Sequence, residues 1–283
     1  MPDAAVVKEP APGFVFTDLD GTLLDHDTYE SGPAAEALAR LQQAGVLVIF
    51  CSAKTRAEQE PLRERLEVTG PFIVENGAAA FLPGPAAGEP DSAVPTETVT
   101  FGLPYQEVRR GLRQAASEAG VMVRGYGDMT AEELSSLTGL EPDAAIRAQA
   151  REFTETFVIQ EPSPEAAAVL GAGLRARGLR MIRGARFWTA TGDHDKGTAV
   201  RYLLHRLTEK SGPVTSYGIG DFGADLEMLA AVDVPMLVMR PDGSWANLEL
   251  PDLVRLEGVG PKGWSRAAEH VLAALGRPPV RPN

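Results

Sequence analysis

Cysteine is nearly absent from the chain: of 283 residues, only Cys51 carries a thiol. A single cysteine excludes internal disulfides and fits a reducing compartment, so a cytoplasmic location is expected. Lysine is scarce as well. Lys8, Lys54, Lys196, Lys210 and Lys262 are the whole set, and arginine makes up the rest of 27 basic residues against 39 acidic ones. No basic stripe interrupts the net charge of −12, which argues against DNA or RNA as a partner. Long apolar runs are also missing. The longest extends from Val46 to Cys51, too short for a membrane span. Residues 1–12, MPDAAVVKEPAP, lack the apolar stretch of a signal peptide and read as a loose tail, as do residues 276–283, GRPPVRPN.

What is present is a globular composition, 44% apolar and 23% charged, over a length that one core seldom fills. Phe14 to Thr17 reads as a short strand that stops at Asp18. Pro33 to Ala44 reads as a helix with Ser31 as its N-cap and Gly45 as its stop. Val46 to Cys51 is a buried strand, Arg56 to Leu66 a helix and Phe72 to Val74 a third strand. This alternation predicts an α/β fold with a doubly wound parallel sheet. Leu82 to Pro95, rich in Pro, Gly and Ala, reads as a linker. Beyond it, mixed strands and helices as far as Thr189 read as an inserted α+β unit. The parallel pattern resumes with a helix after Lys196 and strands at Thr215 to Gly220 and Pro235 to Met239. The expected domains are therefore a discontinuous core, 13–83 with 192–275, and an insertion, 84–191.

The chemistry starts at Asp18-Leu19-Asp20-Gly21-Thr22-Leu23-Leu24. Two carboxylates two residues apart, just past a strand end, sit where open α/β sheets bind their ligands. Asp18 is placed to attack phosphorus and form an aspartyl-phosphate. Asp20 is placed to protonate the leaving alkoxide and then to deprotonate the hydrolytic water. Gly21 allows the sharp turn. An Asp-Gly pair alone would signify no more than a turn; the full string after an apolar strand carries more.

The string resembles the first signature of the haloacid dehalogenase (HAD) phosphatase superfamily, and the remaining signatures follow in order. Ser52, after the second strand, would donate to a phosphoryl oxygen. Lys196, in Asp195-Lys196-Gly197, would offset charge on the transferring group. In Gly220-Asp221-Phe222-Gly223-Ala224-Asp225, Asp221 would ligate Mg²⁺ together with Asp18 and the backbone carbonyl of Asp20. Asp225 completes the expected metal set, acting on a metal-bound water or on Lys196. Ala224 stands where the superfamily usually has Asn, which implies weaker metal affinity or a compensating ligand. The resemblance implies a HAD-like core, and the position of the insertion resembles a type IIB cap, which covers substrate and supplies selectivity.

Longer strings narrow the resemblance. Cys51 to Arg56, Ile73 to Gly77, Gly125 to Glu132, Leu137 to Leu140, Ala150 to Thr156, Gly184 to Trp188 and Gly260 to Trp264 are similar to mannosyl-3-phosphoglycerate phosphatases. That family's substrate is a phosphorylated glycoside with a carboxylate, and its product, mannosylglycerate, is a compatible solute. Lys54, Arg151 and Arg186 are the candidates for carboxylate and phosphate, because Arg forks match such groups. Glu75, Asn76 and Gly77 are the candidates for sugar hydroxyls, although Asn-Gly is equally a hairpin signal. The glucosyl analogue, other sugar phosphates, a phosphomutase and a non-catalytic sensor stay open, as does a homodimer. His26 and His194 read as loop polarity, His205 and His270 as surface, Cys51, Met228 and Leu229 as core, and Trp188 and Trp264 as packing.

Overall fold

The computed structural model describes residues 12–83, 95–184 and 186–276. Both expected tails, apart from Pro12 and Gly276, and most of the expected linker lie outside the described residues. In chain order the first elements are β1 (Phe14–Thr17), α1 (Pro33–Gln43), β2 (Leu47–Cys51), α2 (Arg56–Arg65), β3 (Phe72–Val74), β4 (Ala79–Pro83) and β5 (Pro95–Thr100). Then come α3 (Tyr105–Ala119), β6 (Val123–Gly125), α4 (Ala131–Thr138), α5 (Pro142–Gln149), β7 (Glu155–Ile159), α6 (Pro164–Arg175), β8 (Arg180–Arg183) and β9 (Trp188–Thr191). The last are α7 (Lys196–Ser211), β10 (Ser216–Gly220), α8 (Leu226–Leu229), β11 (Val234–Met239), β12 (Val254–Val259) and α9 (Pro261–Ala274).

By its contacts the chain divides into two compact units. The first draws on Met1–Ile49, Val200–Gly223 and Leu229–Asn283, and the second on Phe50–Ala199 and Ala224–Met228. The division cuts β2, so that strand contributes to both.

In the first unit the strand order is β12-β11-β10-β1-β2, with β1, β10, β11 and β12 paired in parallel. Phe14, Val15 and Phe16 of β1 and Ile219 of β10 are fully buried, as strands covered on both faces require. Leu38 and Leu41 lie on the buried side of α1, and Ala267, Ala268, Val271 and Leu272 lie on that of α9. The N-cap of α1 is Gly32, with no side-chain cap bond, and not Ser31 as expected. Pro33 at the first helical position sets φ there, and it is the Ser31 carbonyl that accepts from Ala34 N–H. Gly45, at φ 81°, ends α1 as the sequence predicts.

The second unit continues from β2 in the order β2-β3-β4-β5. Only β2 and β3 pair in parallel there; β3-β4 and β4-β5 are antiparallel, so the sheet carries an antiparallel edge that the alternation rule did not predict. Another sheet, β6-β7-β9-β8, is wholly antiparallel. Val108 and Leu112 of α3, Leu170 and Leu174 of α6, and Phe157 and Ala190 of the sheet share one core. Each large apolar side chain buried there contributes about 1.5–3 kcal/mol. The helix α2 begins with a full capping box between Thr55 and Glu58, which fixes the chain direction straight after Ser52.

Candidate active site

β1 delivers Asp18 at its end. Its backbone continues the strand pairing for one more residue, with Asp18 N–H donating to the Ile219 carbonyl at 2.9 Å. The chain then folds into a tight loop in which Thr22 and Leu24 N–H both donate to the Leu19 carbonyl. Leu19 and Leu23 anchor that loop in the core. Trp264 Nε1 donates to Thr17 Oγ1, whose hydroxyl donates in turn to the Asp18 carbonyl, so the backbone around Asp18 is braced from behind.

Asp221 follows β10 directly, and Thr22 Oγ1 donates to its carboxylate at 2.9 Å. Gly21 sits at φ 79°, and a Cβ there would lie 2.7 Å from Asp221 Oδ2, so only glycine leaves room for the carboxylate. Asp18, Asp221 and Asp225 each offer a carboxylate oxygen, all within 4.8 Å of one another and all buried. Asp20 is half-buried and its side chain lies outside that group of three. Buried like charges at this spacing repel and require cations. Lys196 is one: it opens α7, is buried, and its Nζ donates to Asp225 Oδ1 at 2.7 Å. The three carboxylates form an oxygen-only donor set. That chemistry fits a hard divalent cation.

Ser52 is buried immediately past β2, where its Oγ accepts from Lys54 N–H. Lys54 pairs with Glu58 one helical turn on, at 3.6 Å. Glu75, Asn76 and Gly77 form the hairpin turn joining β3 to β4, with φ values of 48°, 62° and 92°. Glu75 is 0% exposed. Its carboxylate accepts from the N–H groups of Glu152, Phe153 and Thr154 and from the Thr154 hydroxyl. Arg151 is buried beside it, with Nε 3.6 Å from Glu75 Oε2. Arg151 also donates to the Ala53 carbonyl and to Thr154, which ties the 151–154 segment to the Ser52–Lys54 loop. Arg186 is elsewhere in this unit: its two terminal nitrogens donate to the Leu137 and Thr138 carbonyls at the end of α4, a helix-capping arrangement. Within Gly125 to Glu132, Asp128 binds Gly125 N–H, Arg109 and Arg113. The neighbouring Glu155, whose carboxyl burial pushes up, takes Tyr105 Oη and Arg109.

His194 corrects the reading of it as loop polarity, since it is 1% exposed. Its Nε2 lies 2.8 Å from Thr191 Oγ1, and its Nδ1 is buried with no hydrogen-bond partner among the described residues. Burial holds its pKa below the ordinary 6.5. Below pH 6.5 the unfolded chain therefore binds a proton that the folded one resists. Its contribution to stability is complete above that value and is lost as pH falls through it. Urea midpoints measured between about pH 7.5 and 5.5 should fall more steeply for the wild type than for His194→Asn. Equal slopes would show that His194 does not titrate on unfolding.

Residues 15–84 match the family model for haloacid dehalogenase-like hydrolases. The chain is 39% identical over 258 residues to the glucosyl-3-phosphoglycerate/mannosyl-3-phosphoglycerate phosphatase of Methanococcoides burtonii, covering 89% of this chain and 94% of that one. It belongs to the mannosyl-3-phosphoglycerate phosphatase family. Another relative in that family, the mannosyl-3-phosphoglycerate phosphatase of Pyrococcus furiosus, is 34% identical over 232 residues, 79% of this chain and 90% of its own. The fold is HAD-like: the subclass IIB sugar phosphatase BT4131 superposes with a TM-score of 0.61 at 16% identity, over 91% of this chain and 98% of that one. Among the described residues, no helix is long and apolar enough to cross a membrane.

Proposed function

We propose that the protein is a cytoplasmic phosphatase that removes the 3-phosphate from mannosyl-3-phosphoglycerate and its glucosyl counterpart. The observation that carries this reading is the convergence of Asp18, Asp221 and Asp225 beside the Asp225-bound ammonium of Lys196. The two sugars are named together because the Methanococcoides relative is named for both.

In this mechanism Asp18 attacks phosphorus, and the bond from phosphorus to the glycerate oxygen breaks. Asp20 gives its proton to the departing alkoxide, then takes one from the water that attacks phosphorus and releases Asp18. Ser52 and Lys196 hold the phosphoryl oxygens and offset their charge. Asp18, Asp221, Asp225 and the backbone carbonyl of Asp20 would hold Mg²⁺, which supplies further charge neutralisation when bound. Residues 84–191 would serve as the cap that selects substrate, with Arg151, held beside the Ser52–Lys54 loop, offering a cation to the substrate's anionic groups.

Phosphate release from a panel of phosphomonoesters tests the proposal. Mannosyl- and glucosyl-3-phosphoglycerate should exceed hexose phosphates in kcat/KM by ~100-fold or more. EDTA should abolish turnover and Mg²⁺ should restore it. Equal turnover of hexose phosphates would reduce the reading to a general sugar phosphatase, and full activity in EDTA would remove the metal.

A further inference from the structure

The turn Glu75-Asn76-Gly77 touches the Ser52 loop, the 152–154 segment and the start of α7. Its three successive residues have positive φ, a backbone state that two non-glycine residues adopt only when their surroundings hold them there. What holds them is a set of contacts within the second unit. Glu75 N–H donates to the Lys54 carbonyl at 3.0 Å and Asn76 N–H to the Ser52 carbonyl at 2.9 Å, so the turn grips the Ser52 loop at two points. Glu75 Oε1 and Oε2 take the three backbone N–H groups and the hydroxyl of 152–154, next to Arg151. Gly77 lies directly against the backbone where α7 begins. A Cβ on it would be 2.1 Å from the Asp195 carbonyl oxygen and 2.8 Å from Lys196 N, atoms that cannot move aside as a flexible side chain would.

We infer that this turn is the positioning element of the site: Gly77 sets the place of Lys196, and the Glu75 carboxylate sets that of Arg151. The inference rests on the phosphatase reading above and changes what the turn does within it. Glu75 acts there through Arg151, with its own carboxylate fully engaged by protein donors. Gly77 is glycine because backbone packs on it at the Lys196 helix, a demand separate from any approach by substrate. Displacing a catalytic group by about 1 Å costs on the order of 100-fold in rate. Loosening a binding group appears mainly in KM.

Two variants separate the arms. Gly77→Ala should lower kcat by ~30-fold or more with KM within about 3-fold. Glu75→Gln, which keeps the turn and Gly77, should raise KM by about 10-fold with kcat within about 3-fold. That rise should vanish when Arg151 is already Ala. A readout independent of activity accompanies them: the side-chain ammonium resonance of Lys196 by ¹H–¹⁵N NMR, assigned among five lysines with Lys196→Met. It should shift in Gly77→Ala and stay near the wild-type position in Glu75→Gln. An unmoved Lys196 resonance in folded Gly77→Ala overturns the inference, as does a kcat that falls only in proportion to the folded fraction. Should Gly77→Ala not fold, an unchanged KM in Glu75→Gln overturns it alone. A wild type that releases no phosphate, with Lys196 still displaced by Gly77→Ala, would sink the phosphatase reading and leave the positioning role standing.

Discussion

Replacing Asp18 with Asn should lower kcat by at least about 10⁴-fold while the protein stays folded. The amide has almost the shape of the carboxylate, so the brace from Trp264 through Thr17 to the Asp18 backbone persists. What disappears is the nucleophile, since a neutral amide oxygen is too weak a nucleophile to form the acyl phosphate that the carboxylate forms. The same substitution removes one of three buried negative charges within 4.8 Å. In EDTA the variant should therefore melt at or above the wild-type temperature, because relief of like-charge repulsion outweighs a lost polar contact. Steady-state phosphate release and a thermal melt in EDTA check both halves. Near-normal turnover would refute covalent catalysis at Asp18, and a large drop in melting temperature would mean that Asp18 holds the fold as well.

Lys196→Met has the next largest expected effect, and it strikes stability and rate together. The ammonium and Asp225 form a buried pair at 2.7 Å. Removing one partner leaves the other charged in a dry place, at a cost of about 3–5 kcal/mol. Loss of a charge aimed at the transferring group costs a further ~10²–10³-fold in kcat. The double variant Lys196→Met with Asp225→Asn separates the two effects. Stability should return to within about 1–2 kcal/mol of wild type, because position 225 no longer carries a charge stripped of its partner, while activity stays lost. Urea titration and kcat on the three proteins decide it. A stable single variant would mean that Asp225 has another cation available. Lys196→Arg should not rescue turnover, because the planar fork is larger and spreads its charge over more atoms than the compact ammonium.

Much of the core was legible because its chemistry sits at strand ends, where an apolar run stops abruptly at a charged residue. Phe14 to Asp18 and Ser216 to Asp221 both read that way. Elements with mixed signals were not legible. β4, AAFLP, lies next to Gly- and Pro-rich sequence and looks like part of a linker until its pairing with β3 and β5 is known. β12, VRLEGV, is only partly buried and carries two charges and a glycine. α9 carries a legible stripe in Trp264, Ala267, Ala268, Val271 and Leu272, spaced as a helix face requires, with Pro261 at its start.

Residue type alone does not reveal which partners several polar groups meet. His194 lies between Asp193 and Asp195 and looks solvated, yet contacts with Thr191 and the approach of Gly102 and Gly192 bury it. Arg186 has the chemistry of an anion binder, and here its terminal nitrogens meet the carbonyls of Leu137 and Thr138. Glu75 has the chemistry of a sugar binder, and here its oxygens meet the backbone of 152–154. For Arg186 and Glu75 the partner comes from elsewhere in the chain, and no local pattern announces it.

The bond from Trp264 to Thr17 spans 247 positions. A ribosome making this chain exposes the Asp18 loop long before the indole that steadies it. Until then the strand ending in Asp18 also lacks β10, its parallel neighbour. A nascent polypeptide stalled before residue 216 should thus be catalytically silent, however long its N-terminal half has been free of the exit tunnel. Activity would arrive abruptly, once α9 brings Trp264 to Thr17.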